Sequence, residues 1–133
     1  MTHIATDKVN IPQTAEKAFT FLSDFNNFKS LMPPQVTNWQ STEDTCSFTI
    51  NNMATVGMKI VSKEPFSKIH IKSDGGKVPF EFTLDVLITP DGDAASIGQL
   101  VFDADIPIFL RPMVEGPLGN FFNLLAKKMA EIK

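Results

Sequence analysis

A chain of 133 residues with one cysteine, Cys46, and a net charge of −3 is sized for one domain, 1–133, whose core needs no metal or cross-link and has no internal disulfide available. Its eleven lysines and single arginine, Arg111, are scattered along the chain, which excludes nucleic acid as a main partner, because phosphate binding takes a concentrated basic surface. No apolar run approaches a bilayer crossing, and Met1-Thr2-His3-Ile4 carries no basic patch leading an apolar block, so a cytoplasmic protein without a secretory signal is expected.

Val9-Asn10-Ile11-Pro12 reads as a short strand. Thr14 follows as a helix cap with Glu16 in the first turn. Ala15, Ala18, Phe19, Leu22 and Phe25 then recur at three-to-four spacing against Glu16, Lys17, Ser23 and Asp24, the pattern of a helix with one buried face. Asn26-Asn27 interrupts it, and Phe28, Leu31 and Met32 suggest a second short helix, which Pro33-Pro34 ends.

From Gln35 the period changes to two. Cys46, Phe48 and Ile50 alternate with Ser47, Thr49 and Asn51; Val56, Met58 and Ile60 with Gly57, Lys59 and Val61; Ile69 and Ile71 with Lys68, His70 and Lys72. Phe80, Phe82, Leu84, Val86 and Ile88, then Gly98, Leu100, Phe102 and Ala104, give the clearest alternation. Glu43-Asp44, Asp74-Gly75-Gly76 and Pro90-Asp91-Gly92-Asp93 are turn signals between these runs, so the strands join as antiparallel hairpins. The last segment, Pro112 to Ile132, puts Leu118, Phe121, Phe122, Leu125, Met129 and Ile132 on one face of a long helix that starts in earnest at Pro117.

An α+β arrangement satisfies all these faces: a curved antiparallel sheet of six to seven strands wraps the long C-terminal helix, with a short broken helix pair after strand 1. A strongly curved sheet does not press flat on one helix, so bulky side chains must fill or line the space between. Twelve Phe, one Trp and no Tyr supply bulk with no hydroxyl, which suits an apolar interior.

Val9-x-Ile-Pro, the run Ala15-Glu16-Lys17-Ala18-Phe19-x-Phe21-Leu22-Ser23-Asp24-Phe25-x-x-Phe28, Leu31-Met32-Pro33 and the pair Val56-Gly57 together resemble START-like proteins. This helix-grip superfamily (SRPBCC) includes polyketide cyclases, the birch pollen allergen and lipid-transfer domains, and the nearest flavour is the carbon monoxide dehydrogenase G-like branch. Phe19 and Phe21 stand where that branch often has Trp, and Pro33-Pro34 where it has Pro-Gly. The resemblance implies an apolar cavity between sheet and C-terminal helix that takes a small hydrophobic molecule such as a lipid or polyketide. It carries no catalytic residue over to this chain.

The polar candidates read mostly as surface. Asp103-Ala104-Asp105 would place two carboxylates about 7 Å apart on one side of a strand, but they alternate with Phe102 and Ala104 and so face solvent, as do Glu81 and Asp85. His70 shares its face with Lys68 and Lys72, and His3 lies in a frayed start. No metal-ligand spacing is present. Cys46 reads as a small buried hydrophobe. Asp74-Gly75-Gly76-Lys77 joins strands, where a phosphate loop would need a following helix, and Asp91-Gly92-Asp93 is a hairpin turn. The greasy stretch Ile106-Pro107-Ile108-Phe109-Leu110-Arg111-Pro112-Met113-Val114 is either core under the helix or a cavity rim, and as a rim a contact for a membrane or a partner protein. Arg111 is then either paired with Glu115 or free to fix an anionic head group.

The expected function is therefore binding or carrying of a small hydrophobic ligand, without a cofactor. Phe48, Met58, Ile71, Phe80, Phe82, Phe102, Phe121, Phe122 and Leu125 are the candidate walls, with Arg111 at the mouth. The alternatives are a cyclase or dehydratase-type enzyme, which needs an inward-facing ionisable residue, and a membrane-associated assembly module that uses the 106–114 stretch.

Overall fold

Among the described residues, eight strands pair antiparallel in one sheet of order β1-β8-β7-β6-β5-β4-β3, with β2 also on β8. They are β1 Thr2–Ala5, β2 Val9–Ile11, β3 Val36–Ser41, β4 Thr45–Ile50, β5 Ala54–Glu64, β6 Lys68–Gly76, β7 Phe82–Asp91 and β8 Ala95–Ala104. The structure, a computed structural model, describes residues 2–50, 54–76 and 80–131. Asn51, Lys77 and Ile132, assigned above to a strand, a strand connection and a helix face, lie outside these residues, and so does the side chain of Val114.

The expected six to seven strands become eight at the start of the chain, because His3 sits within a strand instead of a frayed end. Both β1 and β2 lie on β8, with Thr2 opposite Ala104 and Ile11 opposite Ser96. Thr6 bridges the gap between them: its amide donates to Leu100 O at 2.9 Å, and its buried hydroxyl oxygen accepts from Leu100 N at 3.0 Å. A side chain thus replaces one ladder acceptor, and the edge is one line broken once. Asp74-Gly75-Gly76 is also no free turn. It closes β6 against an irregular stretch of β5, where Val56 faces Gly76 but Met58 faces Ser73.

The helix pair breaks earlier than the sequence pattern suggests. Thr14 Oγ1 accepts from Lys17 N at 3.2 Å and starts α1, Ala15–Leu22. Ser23 Oγ then donates to Phe19 O at 2.6 Å, and Asp24 Oδ1 accepts from Asn26 N at 2.9 Å, capping α2, Phe25–Phe28. Short polar side chains at Ser23-Asp24 compete for backbone groups, so the break falls there and not at Asn26-Asn27. A 3-10 turn, Lys29–Leu31, follows.

The C-terminal helix α3, Arg111–Met129, begins six residues before Pro117. Pro112 lies in its first turn, where the missing amide has no helical partner to lose, whereas Pro117 is inside the helix. Among the described side chains of α3, the buried ones start at Phe121 and continue through Phe122, Leu125, Ala126 and Met129. The apolar face read from the sequence is therefore the C-terminal part of a longer helix.

Period-two alternation holds through the sheet. Cys46, Phe48, Ile50, Val56, Met58, Ile69, Ile71, Phe82, Leu84, Val86, Ile88, Leu100, Phe102 and Ala104 are all buried in one core with α1, α2 and α3. The helix α1 lies against β6, β7 and β8, and α3 against β2, β8 and the 3-10 turn.

Candidate ligand-binding site

The interior between sheet and α3 is built from rings. Phe48 projects inward from β4 and Phe102 from β8, four strand steps apart in the sheet order, which would be roughly 19 Å across a flat sheet. Adjacent residues of α3 reach both: Phe121 stacks on Phe48 with centroids 6.0 Å apart, and Phe122 lies 4.9 Å from Phe102. The rings of Phe121 and Phe122 are themselves only 5.1 Å apart, so the two arms of the sheet must curl toward each other around the helix.

The ring contacts continue at both ends. Trp39 of β3 stacks on Phe48 at 5.4 Å; on the other side Phe82 lies 5.3 Å from Phe102 and Phe80 lies 6.5 Å from Phe82. Six of the expected wall residues, Phe48, Phe80, Phe82, Phe102, Phe121 and Phe122, thus belong to one connected chain of aromatic rings. Both terminal members, Trp39 and Phe80, are only half-buried. Met58, Ile71 and Leu125 are buried in the same core. These nine side chains offer carbon and sulfur and no strong hydrogen-bonding group.

Trp39 was missed in the sequence pattern, because its strand carries polar and half-exposed neighbours and a register shift between Thr37 and Gln40. The signal was the lone Trp itself. Its indole Nε1 donates to Ser41 Oγ at 3.1 Å, and Ser41 Oγ donates to Asn26 Oδ1 at 2.7 Å, which ties the end of the ring chain to α2.

Strand direction shows at which end of the sheet Phe80 stands. Ile50, Gly76, Phe82, Ala104 and Thr2 stand at one end of their strands, beside the β4–β5, β6–β7 and β8–α3 connections. Phe80, Arg111 and the 106–114 stretch lie at that end. The stretch divides between core and rim: Ile106 is fully buried and Leu110 half-buried, whereas Ile108, Phe109 and Met113 are exposed. A 3-10 turn, Ile108–Leu110, leads directly into α3, so Arg111 opens the helix.

Arg111 Nε donates to Ile106 O at 3.0 Å. The expected alternative pairing with Glu115 does not form, because Glu115 Oε2 accepts from the buried Thr2 hydroxyl at 2.5 Å and ties α3 to β1. Among the described residues, Arg111 takes part in no ion pair.

The polar candidates lie on the other face of the sheet. His70 Nδ1 is 2.5 Å from Asp85 Oδ1, its cross-strand partner, and His3 Nδ1 is 2.6 Å from Asp103 Oδ1. Asp105 lies beyond the end of β8, so the two carboxylates of 103–105 do not share a strand. No group of three metal-ligating side chains occurs among the described residues. Burial pushes the Cys46 thiol up from 9.0 to about 12, against a smaller lowering by a backbone hydrogen bond involving Met58.

Comparison with known proteins matches residues 2–132 to the family described as polyketide cyclase / dehydrase and lipid transport. Among solved structures, the protein XoxI from Bacillus cereus superposes with a TM-score of 0.77 at 10% identity, covering 98% of this chain and 94% of that one. A START superfamily protein from Mycobacterium smegmatis gives 0.75 at 16% identity, covering 97% and 94%. Norcoclaurine synthase from Thalictrum flavum, in complex with dopamine and hydroxybenzaldehyde, gives 0.70 at 13% identity, covering 99% and 88%. No curated protein matches the sequence significantly.

Proposed function

Because the chain belongs to the polyketide cyclase / dehydrase and lipid transport family, we propose that it binds and carries a small hydrophobic molecule, a lipid, polyketide or similar compound, between the sheet and α3. The observation that carries this reading is the connected chain of rings from Trp39 to Phe80, which spans the interior and reaches half-buried positions at both ends. Such walls recognise apolar bulk and flat shape, and affinity comes from area removed from water, about 25 cal/mol per Å² before ordering costs. Arg111 stands at the Phe80 end of that ring chain, and its guanidinium fixes an anionic group such as a carboxylate.

A proton-transferring enzyme would need an ionisable group facing the rings. His70 and Asp103 are on the opposite face, each held by a cross-strand partner, which favours binding over acid/base chemistry at those two residues. The test is native mass spectrometry of protein purified from its own cells, followed by solvent extraction of whatever is bound. Reproducible recovery of one apolar compound is expected; repeated recovery of empty protein argues against the reading. Trp39 is the only Trp and there is no Tyr, so its emission reports directly on the ring chain. Titration with the recovered compound shifts or quenches that emission, and Arg111→Gln weakens binding of a carboxylate-bearing ligand more than of its methyl ester.

A further inference from the structure

Ile108 and Phe109 are each 77% exposed and Met113 64%, more than any other large apolar side chain described. All three fall on the 3-10 turn and first turn of α3, and Phe109 and Met113 are four residues apart, which places neighbouring side chains on successive turns. This corner is held in place. Leu110 N donates to Pro107 O at 2.9 Å, Arg111 Nε donates to Ile106 O at 3.0 Å, and Ile106 beneath is fully buried. Bulky apolar side chains are thus presented to solvent on a firm support, at the end of the fold where Phe80 and Arg111 lie.

What covers them is constrained by size and charge. Three such side chains expose on the order of 400 Å², about half of the ~800 Å² per partner that a stable protein interface buries. A patch of that size falls short of a stable dimer interface, so a second copy of the chain is a poor fit. Around the β8–α3 connection that carries them, between residues 102 and 120, the only base is Arg111, against Asp103, Asp105 and Glu115. An anionic surface would be repelled at this end. An uncharged or zwitterionic surface with a soft apolar interior accepts isolated protruding side chains without shape complementarity.

We propose that Ile108, Phe109 and Met113 form a wedge that inserts into the interfacial layer of a zwitterionic lipid bilayer. This deepens the carrier reading and rests on it for its purpose: the wedge brings the Phe80 end of the ring chain to the surface that supplies or receives the ligand. No helix among the described residues is long and apolar enough to cross the membrane, so the attachment is shallow and reversible.

Flotation of the full chain with phosphatidylcholine vesicles tests the wedge. Wild type is expected to float, and to do so equally in low salt and at about 0.5 M NaCl, since screening weakens only electrostatic attraction. Phe109→Glu and Ile108→Glu are expected to reduce the bound fraction about tenfold, while Val61→Glu, at an exposed apolar site on β5, leaves it unchanged. Circular dichroism confirms that each variant is folded. The proposal is overturned if wild type stays with the soluble fraction, if it floats only with phosphatidylglycerol vesicles and detaches in salt, or if light scattering shows a dimer that Phe109→Glu converts to monomer. Empty protein that floats would leave the wedge standing and remove the carrier reading; ligand-loaded protein that never floats would do the reverse.

Discussion

A methyl group on Gly57 would overlap the carbonyl oxygen of Asp74, and the obstacle is backbone that cannot swing aside. The close approach belongs to the irregular pairing of β5 with β6, and only a residue without a side chain permits it. Gly57→Ala is expected to destabilise the protein by about 3 kcal/mol or more, read as a lower urea midpoint with an unchanged slope. Cys46 has a different consequence. With its thiol pushed up to about 12, it stays protonated in the folded chain while the unfolded chain ionises near 9.0, so its contribution to stability is complete below pH 9 and is lost as pH rises toward 12. Iodoacetamide at pH 8 should leave the native thiol largely unmodified and alkylate it in urea, and the loss of melting temperature between pH 8 and pH 11 should be smaller in Cys46→Ala than in wild type. Both residues were visible in the sequence, Gly57 as half of a family pair and Cys46 as an alternating apolar position. The carbonyl facing Gly57 was not, because Asp74 is brought there by strand register.

At the scale of an element, α3 is two helices in one. Its last nine residues bury five apolar side chains, whereas Pro112 to Asn120 bury none among those described. Pro117 removes one helical hydrogen bond in that outer part, and an added Cβ on Gly119 would meet nothing within 4 Å. Gly119→Ala should therefore stabilise the protein by about 1 kcal/mol through reduced unfolded-state freedom, seen as a raised melting temperature. Periodicity finds buried helix faces, and here it found the face from Leu118 to Met129 but not the exposed beginning at Arg111. The strands show the same rule. Where one face is covered, as in β4, β7 and β8, alternation marks the strand and its inward side. The edge strand β3 lacks that contrast, and β1 places a polar Thr2 on its covered side, so only their partners identify them.

Across the whole molecule, two phenylalanines of identical chemistry separate by position. Phe102 is 2% exposed and touches the rings of Phe82 and Phe122, whereas Phe109 is 77% exposed. Phe102→Ala should cost about 3–5 kcal/mol and Phe109→Ala within about 0.5 kcal/mol, both measured by chemical unfolding, so any loss of vesicle binding in the latter reflects contact and not stability. Hydrophobic periodicity, turn residues and the run from Val9 to Pro33 determined the order of elements, the α+β class and the inward side of each central strand, because these follow from local backbone geometry and burial of one face. The closure of the sheet was decided by tertiary structure alone. Phe121 and Phe122 are neighbours in the chain, yet one ring meets β4 and the other β8, and no local pattern encodes which distant strands a helix will draw together.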